Sequence, residues 1–399
     1  MKWLDRLKTK KRIERIYKDF TFGDWLKAFG NDPMANITVR SCINKIATEC
    51  SKLIPKHIFV KDGVQHNPAS RLNYLFEFAP NPIMTPNDFI YKIISMLLTN
   101  NNAYIYPLYE TDDRGRSTLQ ALYPLNPSGI DIKEDGSGYL YVYMDFKDYS
   151  LTIPYEDIIH LRLNYSLNDY LGTLDNKPLL STLDTSSKVE QGLAKAVEVG
   201  LQVYGLLKIN SLLSDEDKKN ARETFEKQLK ESKGIIATDL AETYVQLKPD
   251  PKLIDKDTIE YIDRKIIRWY GLSEPVLNGE ATDEQHEAFY NATIEPLAIA
   301  LSNAFTKVLF TANELYHGNK IKFFSRFTLQ TSLKTRLNML DIAGQRGLFT
   351  IDQQLELLGY PPVGGEFGAK RFISLNYVNA DISDEYQLNK SRKGDQNND

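Results

Sequence analysis

Histidines, cysteines and clustered carboxylates are the side chains through which this 399-residue chain could catalyse a reaction. His286-Glu287 begins like the two-histidine helix of zinc proteases, but Tyr290 occupies the position of the second histidine. The chain has no P-loop sequence, and Gly364, Gly365 and Gly368 lack the spacing of a dinucleotide-binding fingerprint. The sequence contains no recognisable catalytic residue, and the chain is predicted not to be an enzyme.

The sequence does not indicate a cation site either. Asp131 and Asp135 are spaced like ligands of an EF-hand loop, but Lys133 stands at a ligand position and Val142 replaces the bidentate glutamate. None of the five histidines has a cysteine or an acid at a convincing metal-ligating spacing. His160 lies in an apolar, strand-like context and is predicted to be a structural histidine, with an active role as the alternative. We therefore expect no metal and no cofactor.

The two cysteines are predicted to be packing residues. Cys42 and Cys50 fall on one apolar face of a helix that is expected to follow Asn36. Along a helix they are separated by about 12 Å, which is too far for a disulfide.

Charge and hydropathy restrict the classes of partner. The chain has 49 Lys and Arg against 53 Asp and Glu, for a formal net charge of −4. A protein that grips nucleic acid along its whole surface is normally basic, so any contact with DNA is expected to be weak or transient. No apolar run approaches the ~18 residues of a membrane span, and no secretory signal is recognisable. The prediction is a soluble intracellular protein without a membrane partner.

Patterns in the first 163 residues indicate a mixed α+β fold. Beyond the helix after Asn36, we expect a strand at 56–60, a short helix at 70–78 and a helix with an N-cap at Thr85-Pro86. Strands with period-two alternation follow, and residues 134–138 are predicted to form a hairpin turn between two of them. The strand after this turn carries Tyr139, Tyr141 and Tyr143. These tyrosines are predicted to face the core, and an exposed interface stripe is the alternative.

The next segment predicts two long helices that flank a small insert. The first helix runs from Pro178 to about residue 204, and the second covers 255–270. Between them, strands at 206–209 and 234–247 flank a highly charged helix at 214–232. The helices and the insert indicate a projecting stalk with a small tip.

Turn-forming residues then predict a loop at 272–282, with the apolar pair Val276 and Leu277 exposed at its tip. One long helix at 283–316 is expected to follow, kinked near Glu295 because Pro296 removes a backbone hydrogen bond.

Seven acids and only one basic residue, Lys307, lie between residues 274 and 316. This asymmetry fits either a solvated acidic helix face or a surface that lets a polyanion pass without binding it.

Several short motifs follow one another in a fixed order along the chain. They are Ala79-Pro80-Asn81-Pro82, Asn101-Asn102-Ala103-Tyr104, Leu122-Tyr123-Pro124-Leu125-Asn126-Pro127, Ile158-Ile159-His160-Leu161-Arg162, Trp269-Tyr270-Gly271-Leu272-Ser273-Glu274-Pro275, Glu295-Pro296-Leu297 and Gly347-Leu348-Phe349-Thr350-Ile351-Asp352. In their order and spacing, over residues 36–379, they resemble the portal protein family of tailed bacteriophages, in the short-chain type of lambdoid-like siphophages. Asn101 stands where that family usually has glycine.

The resemblance implies an α+β, multi-domain portal fold that assembles as a ring, typically of twelve subunits. The fold would combine a mixed wing domain, a long-helix stem, a small α/β clip and a kinked channel helix. The implied boundaries are a basic arm at 1–35, wing at 36–177, stem helices at 178–204 and 253–271, clip at 205–252, tunnel loop at 272–282, channel helix at 283–318, wing with a short crown at 319–380 and disordered tail at 381–399.

The resemblance also implies the function and the partners. The ring would sit at one capsid vertex, where the terminase motor packages double-stranded DNA through it and the DNA is later ejected. Expected partners are further copies of the chain, the terminase large subunit, the major capsid protein and scaffold, a head-completion or adaptor protein, and DNA without sequence specificity. The location would be the virion, after assembly in the host cytoplasm. The alternatives are a nuclease subunit of a packaging system and a head–tail adaptor that does not dock the motor.

Three groups of residues are expected to carry these contacts. The DNA channel and tunnel loop would contain Val276, Leu277, Asn278, Gly279, Glu280, Asp283, Glu284 and Glu287. The clip surface that docks terminase or an adaptor would contain Asp215, Lys218, Lys219, Arg222 and Glu226. The interface between subunits would contain Ala194, Val197, Ala298 and Ala300, since these helices hold more small and apolar residues than a lone stalk could bury.

Overall fold

A computed structural model describes residues 33–62, 64–113, 115–165, 169–172, 176–201, 204–209, 214–231, 242–247, 256–324 and 333–373. Two compact units divide the chain. The body contains the described residues up to 176 and from 267 onward, and the inserted unit is Lys177–Ile266. Most of the predicted basic arm and the whole predicted tail lie outside the described residues.

Helices and strands are numbered here in chain order. The first part of the body contains α1 (Ile37–Cys50), β1 (Ile54–Lys61), β2 (Val64–His66), α2 (Arg71–Glu77), α3 (Pro86–Asn100), β3 (Asn102–Thr111), β4 (Ser117–Leu125), β5 (Gly129–Glu134), β6 (Leu140–Phe146), β7 (Tyr149–Pro154) and β8 (Ile159–Arg162). The inserted unit contains α4 (Lys177–Leu201), β9 (Tyr204–Ile209), α5 (Asp215–Glu231), β10 (Glu242–Leu247) and most of α6 (Lys256–Trp269).

The remaining elements belong to the second part of the body. They are α7 (Glu274–Asn278), α8 (Asp283–Phe289), a π-helical turn (Tyr290–Ile294), α9 (Glu295–Leu309), α10 (Ala312–Tyr316), β11 (Asn319–Phe324), α11 (Leu333–Gln345), β12 (Arg346–Thr350), α12 (Ile351–Leu358), α13 (Gly365–Gly368) and β13 (Arg371–Ile373). No helix in the described parts of the chain has both the length and the apolar composition required to cross a bilayer.

The early helices begin where their capping residues predict. The side chain of Asn36 accepts a hydrogen bond from the backbone N–H of Val39 at 3.1 Å, and Thr85 forms a capping box with Asp88. Helix α1 packs against α3, and both Cys42 and Cys50 are buried as free thiols. The prediction that the cysteines are unpaired packing residues is confirmed.

A long-range strand pair joins the two parts of the body. Strand β11 pairs antiparallel with β1, which also pairs with β2, and α9 packs on β11. Beneath this sheet, the rings of Phe89 and Phe305 lie 6.3 Å apart and those of Phe305 and Phe323 lie 5.4 Å apart. Both pairs have the edge-on geometry that aromatic quadrupoles prefer. This cluster is the core of the helical part of the body.

Two further three-stranded antiparallel sheets, with strand orders β4-β3-β8 and β5-β6-β7, contribute to a second core. Strand β3 begins directly after Asn101, whose φ of 56° is left-handed. Asparagine tolerates this conformation better than most residues, which explains how it can stand where glycine was expected. The second core contains Tyr104, Tyr106, Leu108, Ala121, Tyr123, Leu125, Val142, Met144, Leu151, Ile153, Ile158 and Leu171.

The prediction that the tyrosines of β6 and its hairpin face the core is wrong for two of the three. Tyr139 is 63% exposed and Tyr143 is 40% exposed. Val142 and Met144 occupy the buried face of β6, and alternation along a strand turns their neighbours outward. The Glu134–Gly138 turn itself is found where it was expected, between β5 and β6.

The inserted unit has the predicted order of elements. Strands β9 and β10 pair antiparallel, with Leu207 opposite Tyr244, and α5 lies between them in sequence. The predicted strand at 234–247 is described only over Glu242–Leu247. The identification of this unit as stem and clip stays a prediction.

The single long helix predicted at 283–316 is also wrong. The segment consists of α8, the π turn, α9 and α10. The irregular turn ends immediately before Glu295-Pro296, where the kink was expected. A second break occurs because Phe310 is extended and Thr311 forms a new capping box with Glu314.

The β12–β13 pair was not predicted, since both strands are very short.

Gly172 is predicted to be essential for the stability of the body. A Cβ atom at this position would overlap the backbone carbonyl oxygens of Asn101 and Leu163, which cannot rotate away. Gly172→Ala should therefore lower the free energy of unfolding by about 2–3 kcal/mol in urea titrations.

Gly136→Ala is the matched control, because a Cβ there meets no atom within 4 Å. It should change the free energy of unfolding by less than about 0.5 kcal/mol. Equal stability of the two variants would contradict the assigned packing at Gly172.

Candidate functional site

The predicted tunnel loop is more ordered than the sequence suggested. Helix α6 ends at Trp269, Gly271 follows with a left-handed φ of 70°, and Ser273 is the N-cap residue of α7. Gly279 ends α7 with a left-handed φ of 82°, and the N–H of Glu280 donates to the carbonyl of Pro275 at 2.8 Å. The segment is therefore a short capped helix between two glycine turns, and the expectation of an irregular loop is wrong.

The helical turn also changes the position of the apolar pair. Val276 is only 3% exposed, and its helix contacts α1. Leu277 is partly buried, whereas Asn278 and Gly279 are exposed. Val276 therefore packs inside its own subunit, and the expectation that it lies on an exposed tip facing DNA is wrong.

The acidic residues of this segment are exposed. Glu280, Asp283, Glu284 and Glu287 all reach the surface, and within the described residues none of them forms an ion pair. Two of them, Asp283 and Glu284, lie in the first turn of α8, where negative charge is favourable next to the helix dipole. The local fold thus supports a cluster of uncompensated negative charge. Its role in a channel stays a prediction.

The start of α8 is fixed by reciprocal hydrogen bonds. The N–H of Gln285 donates to Thr282 Oγ1 at 3.3 Å, and the N–H of Thr282 donates to Gln285 Oε1 at 3.1 Å. At the other end of the segment, Thr293 Oγ1 donates to the carbonyl of Gly271 at 3.3 Å and ties the π turn to the end of α6. These contacts hold the acidic helix in a defined position on the body.

The residues predicted for the subunit interface are not equivalent. Ala194 and Val197 are exposed on α4, and Ala300 is partly buried on α9. Ala298 is only 7% exposed because it faces the core of its own subunit, so its assignment to the interface is wrong. Sequence reasoning missed Ile299, which is 53% exposed on the same helix. The helical period along α9 could have indicated that Ile299 faces outward, since its neighbour Ala298 is buried.

The predicted docking residues lie on α5, which begins after the N-cap Ser214. The hydroxyl of Ser214 accepts from the N–H of Asp217 at 3.2 Å. Lys218, Lys219 and Arg222 are exposed. The side chains of the remaining two predicted residues, Asp215 and Glu226, lie outside the described part of the structure.

His160 is the centre of a hydrogen-bond network in the body. The N–H of Gly172 donates to Asn102 Oδ1 at 2.8 Å, which fixes the orientation of that amide. His160 Nε2 lies 3.0 Å from the same oxygen and must donate to it, so Nδ1 accepts from the hydroxyl of Tyr155 at 3.0 Å. The ring also stacks on Tyr104, with centroids 4.4 Å apart.

Both ring nitrogens of His160 are satisfied in its neutral form. Burial, followed by the positive charges of Arg162 and Lys307, lowers the pKa of His160 to about 3. The histidine is therefore uncharged at neutral pH, in agreement with its predicted structural role. No group of three or more metal-ligating side chains is found among the described residues.

An open cavity of about 960 Å³ lies beside this network. It is formed by β6, β7, β8 and α9, together with the turns that precede β6 and β8. Its lining combines the rings of Tyr139, Tyr141, Tyr155 and Tyr165 with the cations Arg162 and Lys307. Nothing in the sequence pattern predicted this cavity, because its residues come from four separate elements.

The fold is similar to that of chains in gene transfer agent particles. A chain in the virion of a native gene transfer agent particle is 15% identical, with a TM-score of 0.58 over 83% of this chain and 92% of that chain. A chain in the neck of the native particle, computed with C12 symmetry, is 15% identical, with a TM-score of 0.57 over 83% of this chain and 92% of that one. The chain therefore shares the fold of these two chains.

The sequence comparisons give the family. The family model described as phage portal protein matches residues 37–359. The probable portal protein of Lactococcus phage p2 is 27% identical over 355 residues, covering 84% of this chain and 83% of that protein. The probable portal protein of Lactococcus phage SK1 gives the same values. The chain belongs to the phage portal protein family, and its function is that of a portal protein.

The neutral state of His160 predicts a pH dependence of stability. An unfolded histidine has a pKa near 6.5, so below that pH the unfolded chain binds a proton that the folded chain does not bind. Folding stability contributed by this group is complete above pH 6.5 and is lost as the pH falls towards the folded pKa of about 3. Between pH 7 and pH 5 the loss should be about 2 kcal/mol in urea unfolding.

His160→Gln provides the comparison, because glutamine cannot titrate. The wild type should lose about 2 kcal/mol more than this variant over the same pH interval. Parallel pH profiles for the two proteins would contradict a neutral, buried His160.

Proposed function

We propose that identical copies of this chain form a ring whose channel conducts double-stranded DNA into a capsid and later out of it. The observation that carries the proposal is the exposure of Glu280, Asp283, Glu284 and Glu287, which form no ion pair with any described residue, in a chain of the portal family. The C12 symmetry of the similar gene transfer agent neck supports a ring, with twelve as the expected number of subunits. Portal proteins are structural rather than enzymatic, and the virion is the expected location.

The negative charge of the duplex determines which channel lining lets it pass. DNA carries about one negative charge per 1.7 Å of axis, and each Lys or Arg that neutralises a phosphate adds affinity through counterion release. A ring that presented such contacts many times over would hold the moving duplex. Acids at Glu280, Asp283, Glu284 and Glu287 offer no such contacts, so DNA can pass them without being bound. Cations screen the repulsion over about 8 Å at physiological salt.

Contacts between neighbouring subunits are proposed to come from the outer faces of α4 and α9. Ala194 and Val197 are exposed on α4, and Ile299 adds a large exposed apolar side chain on α9. Apolar side chains on the surface of one subunit become favourable when a second copy removes them from water.

The charged helix α5 is proposed to dock the terminase large subunit and later an adaptor protein. Its surface carries Lys218, Lys219 and Arg222 together with acids. Contacts made by such side chains form quickly and weaken with salt, which suits a motor that must leave after packaging. The major capsid protein and scaffold are proposed as partners of the assembled ring in the host cytoplasm.

The acidic channel predicts the effect of charge reversal. Replacement of Glu280, Asp283, Glu284 and Glu287 by lysine should raise the affinity of the assembled protein for duplex DNA by about a hundredfold or more at low salt. The salt dependence of binding should steepen, and packaging should slow. Filter binding over a salt series and an in vitro packaging assay measure these effects.

The control replaces the same four acids by their amides, which removes charge without adding phosphate ligands. This variant should bind DNA only slightly more tightly than the wild type. If the lysine variant forms the same assembly but binds DNA no better than the amide variant, these side chains do not face the duplex.

A second charge reversal tests the docking proposal. Changing Lys218, Lys219 and Arg222 together to glutamate should weaken binding of the terminase large subunit at least about tenfold in low salt, because steering charges are reversed. Ring yield in native mass spectrometry should stay unchanged. Loss of rings, or undiminished terminase binding, would contradict a docking role for α5.

A further inference from the structure

An exposed apolar loop of the body is not explained by passage of DNA. Between α12 and α13 the chain reads Tyr360-Pro361-Pro362-Val363, and all four residues are exposed. The exposed fraction is 63% for Tyr360 and 64% for Val363. A run of four exposed apolar residues is unfavourable in water and is normally kept only where it serves a function. We call residues 360–363 the proline loop.

Hydrogen bonds at both ends hold the proline loop in a defined conformation. The N–H of Tyr360 donates to the carbonyl of Leu355 at 2.9 Å. The N–H of Val363 donates to Asp352 Oδ1 at 2.8 Å, and the N–H of Gly364 donates to the same oxygen at 3.2 Å. Each proline fixes its own φ near about −65° and restricts the residue before it to extended backbone. The loop is therefore preformed and loses little conformational freedom when a partner binds it.

The cavity beside His160 has a lining that suits such a loop. Its volume is about 960 Å³, and four aromatic rings line it, those of Tyr139, Tyr141, Tyr155 and Tyr165. Grooves lined by aromatic rings are the sites at which proline-rich segments bind in several classes of protein. Helix α9 adds the small side chains of Ala300 and Ala304, which leave room for an inserted chain.

The polar groups of the lining are also complementary to the proline loop. Prolines have no N–H, and extended chain forms no internal hydrogen bonds, so the loop offers carbonyl oxygens as acceptors. The lining offers donors in the hydroxyls of Tyr139 and Tyr141 and the side-chain amide of Asn303. Within the described residues, none of these three groups has a hydrogen-bond partner.

A second copy of the chain is the source of the loop that fits the cavity. Within one chain the cavity lining includes no residue of 359–367, and this whole segment is exposed. The cavity also borders the outer face of α9, where Ile299 is 53% exposed next to the lining residue Ala300. A protrusion and a cavity at different places on one chain give a head-to-tail contact, which repeats around a closed ring.

We propose that the proline loop of one copy docks in the cavity beside His160 of the neighbouring copy. Pro361 and Pro362 pack against the tyrosine rings, and the loop carbonyls accept hydrogen bonds from Tyr139 and Tyr141. This contact rests on the ring of the proposed function and identifies two surfaces through which its subunits join.

Cysteine cross-linking tests the contact directly. Val363→Cys and Ala304→Cys are combined in one chain, in which the native Cys42 and Cys50 stay buried. Mild oxidation should give a ladder of two-chain, three-chain and larger bands on a non-reducing denaturing gel, because each disulfide joins one loop to the next cavity. The matched control combines Ala304→Cys with Asn338→Cys, which is exposed on α11, and should give no ladder.

The band pattern separates the possible contacts. A disulfide found only within single chains would place the loop in its own cavity, and two-chain bands without larger ones would indicate a symmetric pair. Either result would overturn the proposal. Negative staining of the same samples distinguishes this contact from the ring itself. Rings without a ladder would overturn the docking alone, whereas absence of rings would overturn both.

A charge placed in the loop supplies the second test. Val363→Asp should lower the fraction of rings in native mass spectrometry at least about tenfold, at a concentration where half of the wild type is assembled, because the carboxylate would be buried against tyrosine rings. The Val363 side chain is exposed, so urea unfolding of the single chain should be unchanged. Asn338→Asp adds the same charge on α11 and should assemble normally. Equal ring fractions for Val363→Asp and the wild type would contradict the docking.

Discussion

The side chain of Asn102 makes the contacts on which much of the body depends. It is buried at the start of β3, and its Oδ1 accepts hydrogen bonds from the N–H of Gly172 at 2.8 Å and from His160 at 3.0 Å. Its amide donates to the carbonyls of Asn100 and Gly172. One side chain therefore joins α3, β8 and the segment that leads to the inserted unit. A buried amide with every hydrogen bond satisfied is stabilising, whereas loss of one partner leaves a costly unpaired group.

The network fixes the protonation of His160 and the packing at Gly172 together. Since the glycine N–H can only donate, it orients the Asn102 amide, and the amide in turn selects the neutral tautomer of the histidine. Arg162 and Lys307 reinforce this choice, because their positive charges oppose a second one at the ring. The same two cations also line the cavity. Structure and charge in this part of the body are thus set by one arrangement of side chains.

Elements with strong local signals could be predicted from the sequence. The start of a helix after Asn36, the cap at Thr85, the buried Cys42 and Cys50 and the hairpin turn before β6 were found as expected, because each depends on neighbouring residues. Val276 was misassigned because five residues are too few for a helical period, although Ser273 and Gly279 could have indicated the caps. The tyrosines on β6 were misassigned because alternation gives two faces without saying which is buried. The cavity beside His160 could not be predicted, since its residues meet only in the folded chain.

The proposed function requires that many copies of the chain form a ring around a central channel. Class averages of negatively stained, purified particles test this claim most directly. The account predicts closed rings, with twelvefold symmetry as in the similar gene transfer agent neck and with a central opening wide enough for a DNA duplex. Particles that remain monomeric at high protein concentration, or that close without a central opening, would contradict it.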